Sequence, residues 1–170
     1  MKHLTIFFLA ITISFVSCSR MSEDDAFQKA KTALDQKKTD DAIKYLEIIT
    51  KEYPSGKYAH QALFYLASIY QNDKKDIQKA MDLYRDVVKK YPQSESAPKA
   101  LFTQAFVYAN QLHNTGKARE LYRQFISTYP NHEMAKSARA ELDNIGVDPH
   151  VLLESLQQKQ VADAPDQKTK

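Results

Sequence analysis

The chain has a single cysteine, Cys18. A thiol can act as nucleophile, metal ligand or acyl acceptor. As a nucleophile it needs a neighbouring base and a pocket, and it lies at the very start of the chain, ahead of any fold. A metal site needs partners at ligand spacing. The histidines are His3, His60, His113, His132 and His150. None forms a His-x3-His pair or stands beside a carboxylate cluster. Gly56, Gly116 and Gly146 are isolated, so no glycine-rich phosphate loop exists, and no Gly-x-Ser-x-Gly occurs. Glu23-Asp24-Asp25 reads as first-turn charge that favours a helix dipole. Lys37-Lys38 and Lys74-Lys75 fall in breaks between helices, and Lys89-Lys90 at a helix C-terminus, where cations are favoured. These residues predict no catalytic site, no metal and no cofactor. A formal charge of +3 over 170 residues leaves no basic footprint for nucleic acid.

Met1-Lys2-His3 is basic, and Leu4 to Val16 runs almost without polarity. That run is shorter than the roughly 20 residues of a membrane span and suits a secretory signal peptide over residues 1–17. Val16-Ser17-Cys18 resembles a bacterial lipobox, with Phe15 in place of the usual leucine; the other reading is an ordinary signal peptide whose cut site happens to contain a cysteine. The resemblance implies a lipidated Cys18, a tether over residues 18–22 and a permanent hold on the membrane, because several acyl chains act together. Ser19 after the cysteine, by resemblance to proteobacterial lipoproteins, implies the outer membrane.

Beyond the tether the chain repeats every 38 residues. Tyr53-Pro54, Tyr91-Pro92 and Tyr129-Pro130 share that spacing. So do Ala42, Ala80 and Ala118, Ala59, Ala97 and Ala135, and Ala62, Ala100 and Ala138. Such self-similarity marks a repeat architecture. Three glycines and six prolines argue against a turn-rich β fold. Each unit reads as two amphipathic helices. Ala62, Leu63, Leu66, Ala67 and Tyr70 form one helical stripe. Ala80, Leu83, Tyr84, Val87, Val88 and Tyr91 form the next, which Pro92 stops.

Leu63-x2-Leu66-Ala67-x2-Tyr70 and Ala80-x3-Tyr84 resemble the tetratricopeptide signature, at 38 residues instead of about 34. The resemblance covers about residues 23–145 and implies an all-α, right-handed superhelix. Its helix-turn-helix repeats would span 23–54, 59–92 and 97–130. Ser22-x-x-Asp25 is a capping signal for the first helix. Gly146 fits a left-handed helix cap, and Asp148-Pro149 opens another helix, so that capping helices occupy 133–160. The residues 161–170 bury nothing and are expected to be disordered. Ala80 and Ala118 are expected to be buried between paired helices.

In tetratricopeptide arrays the first helices line a concave groove. By resemblance, that groove here holds Phe27, Phe64, Phe102 and Phe106 with Asn72, Lys99 and Asn110. Chaperone-binding members clamp a carboxylate with lysine and asparagine. This chain has phenylalanine at the lysine place, so a carboxylate clamp is not expected. Rings beside amides suit an apolar helix or extended segment, although the same rings also suit core packing.

Two envelope families share Tyr-Pro-ended repeats. One is the periplasmic coordinator of the Tol–Pal system, similar to YPSGKYAHQALFYLASIY. The other is the lipidated tetratricopeptide protein of the outer-membrane β-barrel assembly machine. The resemblance implies a non-catalytic scaffold with protein partners in the bacterial envelope, anchored on the periplasmic face of the outer membrane. The alternative is a module that captures a soluble peptide or glycan.

Overall fold

The computed structural model describes residues 20–147 and Val151. The expected signal peptide, Cys18, the helix after Pro149 and the tail 161–170 lie outside the described residues. Within them the helices run in the order α1 (Glu23–Asp35), α2 (Thr39–Glu52), α3 (Ala59–Asn72), α4 (Ile77–Lys90), α5 (Ser96–Asn110), α6 (Thr115–Thr128) and α7 (Ala135–Asn144). Among the described residues there is no strand, and no helix is long and apolar enough to cross a membrane. Each helix packs on the next in the chain, and α3 also meets α5. The protein is an α-solenoid of tetratricopeptide-like helix-turn-helix units.

The ends of the second helices follow from the Tyr-Pro pairs. α2, α4 and α6 are capped by Tyr53, Tyr91 and Tyr129, whose φ values are −129°, −130° and −126°. Proline's ring disfavours helical geometry at the preceding residue, so the chain must turn there. Each turn is then closed the same way: Gly56, Ser94 and His132 donate their N–H to Tyr53, Tyr91 and Tyr129 carbonyls at 2.9, 3.0 and 3.1 Å. The tyrosine hydroxyls tie successive turns together. Tyr53 donates to the Met21 carbonyl (2.6 Å), Tyr91 to Pro54 (2.6 Å) and Tyr129 to Pro92 (3.1 Å).

The opposite edge holds the turns inside each unit. Lys37, Lys75 and His113 adopt φ of 56°, 58° and 50°. This left-handed region costs a non-glycine residue about 1–2 kcal/mol. The cost is carried because the next residues start a helix at once. Asp76 and Asn114 cap α4 and α6 by accepting from the N–H of Lys79 (3.0 Å) and Lys117 (2.9 Å). In the first unit that place is Lys38, which makes no side-chain cap. Ser22 caps α1, accepting from Asp25 N–H at 3.1 Å, and Gly146 closes α7 with φ 78°.

The alanines that recur at 38 residues are small enough to let helices approach closely. Ala80 and Ala118 are buried, as expected of the paired-helix contacts, and so are Ala42, Ala59, Ala62, Ala97, Ala100, Ala135 and Ala138. Three clusters of buried residues run along the solenoid. Tyr70 and Leu83 join the first to the second, and Val88 and Tyr108 join the second to the third. Each fully buried Leu, Val or Phe contributes roughly 1.5–3 kcal/mol, so the solenoid holds together by contacts between neighbours.

Candidate functional site

The surface formed by α3 and α5 contains most of the residues expected to face a partner. Along α5, Lys99, Phe102, Phe106 and Asn110 recur at three and four residues and therefore share one face. Along α3, Phe64, Ser68 and Asn72 do the same. The two helices are fastened at their starts, where His60 Nδ1 and Ser96 Oγ lie 2.9 Å apart and Gln61 Nε2 donates to Glu95 Oε1 at 2.5 Å.

The rings do not share one environment. Phe27 is only 6% exposed. It stacks on Tyr58 with centroids 3.9 Å apart and lies 6.3 Å from the Tyr65 ring. It is a core contact between the first and second units. Phe64 is half-buried and meets Tyr84 edge-on at 5.5 Å. Phe102 is half-buried, edge-on to Tyr122 (5.4 Å) and Phe125 (5.8 Å). Phe106 is 41% exposed. It stands one turn beyond Phe102 and is the ring that this face offers to solvent. Asn110 is exposed and donates to the Phe106 carbonyl at 3.0 Å, while Asn72 donates to Ser68 Oγ at 3.2 Å. Both amides retain acceptor capacity. Lys99 is exposed at the N-terminal end of the same stripe.

Beneath this face the tyrosines of the second helices are strongly perturbed. Burial pushes the Tyr84 hydroxyl up to about 12, against a smaller lowering by a hydrogen bond from Ser68. Burial also raises Tyr122, with the Glu141 carboxylate adding to the rise. Both stay neutral at ordinary pH and serve as packing, not as acid–base groups.

On the other side, α4 and α6 enclose a cleft of about 380 Å³ floored by α5. Gln104 lies in its floor at 7% exposure, with only a long 3.5 Å contact to the Ala100 carbonyl. The matching residue in the preceding unit is Leu66, so the 38-residue register itself marks Gln104 as unusual. Among the described residues, no group of three or more His, Cys, Asp or Glu is placed to hold a metal ion.

A sequence model for the YfiO family, described as outer membrane lipoprotein, matches residues 19–146. That span is well over half of the chain. The chain belongs to the outer membrane lipoprotein family. Membership places it in the bacterial envelope, held by lipid, with a tetratricopeptide-like body. No curated protein matches the chain.

Proposed function

We propose that this lipoprotein is a non-catalytic scaffold that takes part in outer-membrane protein assembly or envelope maintenance. Cys18 carries the lipid, since the chain has no other cysteine. Protein partners bind on the α3–α5 face, with Phe106 as the apolar anchor and Asn72, Asn110 and Lys99 as polar contacts. The observation that carries this reading is the family match over 19–146, laid on a solenoid whose first-helix face presents an exposed aromatic ring. Of the two envelope families with Tyr-Pro-ended repeats, the match supports the lipoprotein of the barrel-assembly machine. A solvent-facing ring beside amides is the composition of an interface hot spot.

The test is capture from detergent-solubilised envelope, with intact-mass measurement of the mature protein. The expected result is acyl mass on Cys18 and recovery of a barrel-assembly component. Recovery of a Tol–Pal component would move the protein to that system. Recovery of small ligands alone, or of nothing, would replace the scaffold with a capture module.

A further inference from the structure

The described chain begins two residues after Cys18. Two residues span at most about 7 Å. If Cys18 bears the lipid, as proposed above, Arg20 is held within that reach of the bilayer surface. The position of Arg20 in the fold then fixes which part of the solenoid meets the membrane.

Arg20 is tied to the first Tyr-Pro turn. Its guanidinium lies 4.5 Å from the Tyr53 ring centroid, its Nε pairs with Glu52 Oε2 at 2.6 Å, and it donates to the Glu52 carbonyl. The turn is locked to the start of α1 at three more points. Tyr53 donates to the Met21 carbonyl, Tyr58 N–H donates to Glu23 Oε1 (2.7 Å), and Lys57 pairs with Asp24 (2.6 Å). The Glu23 carboxylate lies close against Gly56, where a Cβ would have to displace it. The end of the tether and this turn therefore move as one body.

The turn also has the chemistry of the headgroup layer. Tyr53 and Tyr58 each carry a cation over the ring, Arg20 and Lys57, the latter at 4.7 Å. Each cation is paired with a carboxylate and remains more than half exposed. Tyrosine is favoured at membrane–water interfaces, and long cationic side chains reach from an apolar stem to a polar surface. Paired opposite charges complement a zwitterionic headgroup better than a purely anionic one.

We propose that the first Tyr-Pro turn is a membrane-docking surface. Tyr53, Pro54, Ser55 and Lys57 rest on phosphatidylethanolamine headgroups, and α1 to α4 stand up from the bilayer. A helix of 14 residues is about 21 Å long, so the turns inside the repeats lie about 20 Å farther out. The α3–α5 face is then open sideways to a partner.

The experiment uses the lipidated full chain in vesicles of phosphatidylethanolamine and phosphatidylglycerol, with a headgroup-attached quencher. A fluorophore is placed through Ser55→Cys, Asp73→Cys or Gln28→Cys, on the Tyr-Pro edge, the opposite edge and the exposed surface of α1. The Ser55 label should read at headgroup depth, and the Asp73 label about 20 Å farther out. Ten Gly/Ser residues inserted after Ser19 should leave that difference in place; its loss would show that the short tether alone holds the turn there and would overturn the docking surface. Equal quenching at the three sites, or strongest quenching at Gln28, would overturn the docking surface. Intact mass without acyl groups on Cys18 would overturn the anchor reading as well, which separates a wrong orientation from a wrong anchor.

Discussion

Tyr84 and Tyr122 occupy the same place in consecutive repeats, yet their hydroxyls differ. Tyr84 donates to Gln71 Oε1 at 3.0 Å. One repeat on, the place of Gln71 is taken by Ala109, and the buried Tyr122 hydroxyl finds no hydrogen-bond partner among the described residues. A buried unsatisfied hydroxyl costs about 1–3 kcal/mol, whereas a made bond is worth about 1 kcal/mol. Tyr122→Phe is therefore expected to hold or raise stability, and Tyr84→Phe to lower it by about 1 kcal/mol, read by chemical denaturation. The reverse order would refute the assignment of partners. The phenylalanines divide in the same way. Phe125 is fully buried, and Phe125→Ala should cost about 3–5 kcal/mol. Phe106→Ala should leave the melting temperature nearly unchanged while reducing partner affinity about thirtyfold, the loss that goes with a hot-spot contribution of about 2 kcal/mol. A large drop in stability for Phe106→Ala would place that ring in the core.

Among the elements, the helices and their breaks were legible because their determinants are local. A proline disfavours helical geometry at the residue before it, and small residues recurring at 38 mark where helices touch. The groove was legible only in part. A ring at a given repeat position can turn toward the next helix or toward solvent, and tertiary packing decides. Phe27 sits in α1, where Tyr58 offers a stacking partner, while Phe106 lies past the reach of Tyr122 and Phe125. The tyrosine hydroxyl bonds join residues 32 to 37 apart, and nothing in the local sequence announces them. Lys37, Lys75 and His113 stand in left-handed conformations without the glycine that would flag them. Gln104, by contrast, could have been found from the repeat register alone. The helix contacts and caps can be tested one at a time. Ala118 is fully buried where α6 meets its neighbours, so Ala118→Leu should overpack the contact and cost typically about 1–3 kcal/mol. Asn114→Ala removes the α6 cap and should cost about 1 kcal/mol. An unchanged denaturation midpoint in both would contradict the packing described.

For the whole molecule, the buried and half-buried tyrosines make stability fall at alkaline pH. Tyr84 is raised to about 12, and Tyr91, Tyr122 and Tyr129 are raised as well, each chiefly by burial. A group whose pKa is higher in the folded state adds stability below its unfolded value. That stability is lost as pH rises from about 10 through the folded value. The solenoid should thus lose stability between about pH 10 and 12, and Tyr84→Phe should flatten that limb. Stability independent of pH across this range would show that folding does not raise these tyrosine pKa values.

The scaffold reading depends on which face meets another protein. A photo-crosslinking amino acid placed at Phe106, and separately at the exposed Arg123 on α6, in the lipidated protein in cells, compares the two faces directly. A partner seated on the α3–α5 face gives a crosslink to an envelope protein from position 106 and none from position 123. A crosslink from 123 alone, or none from either in a folded, membrane-bound protein, would refute that face as the scaffold's binding surface.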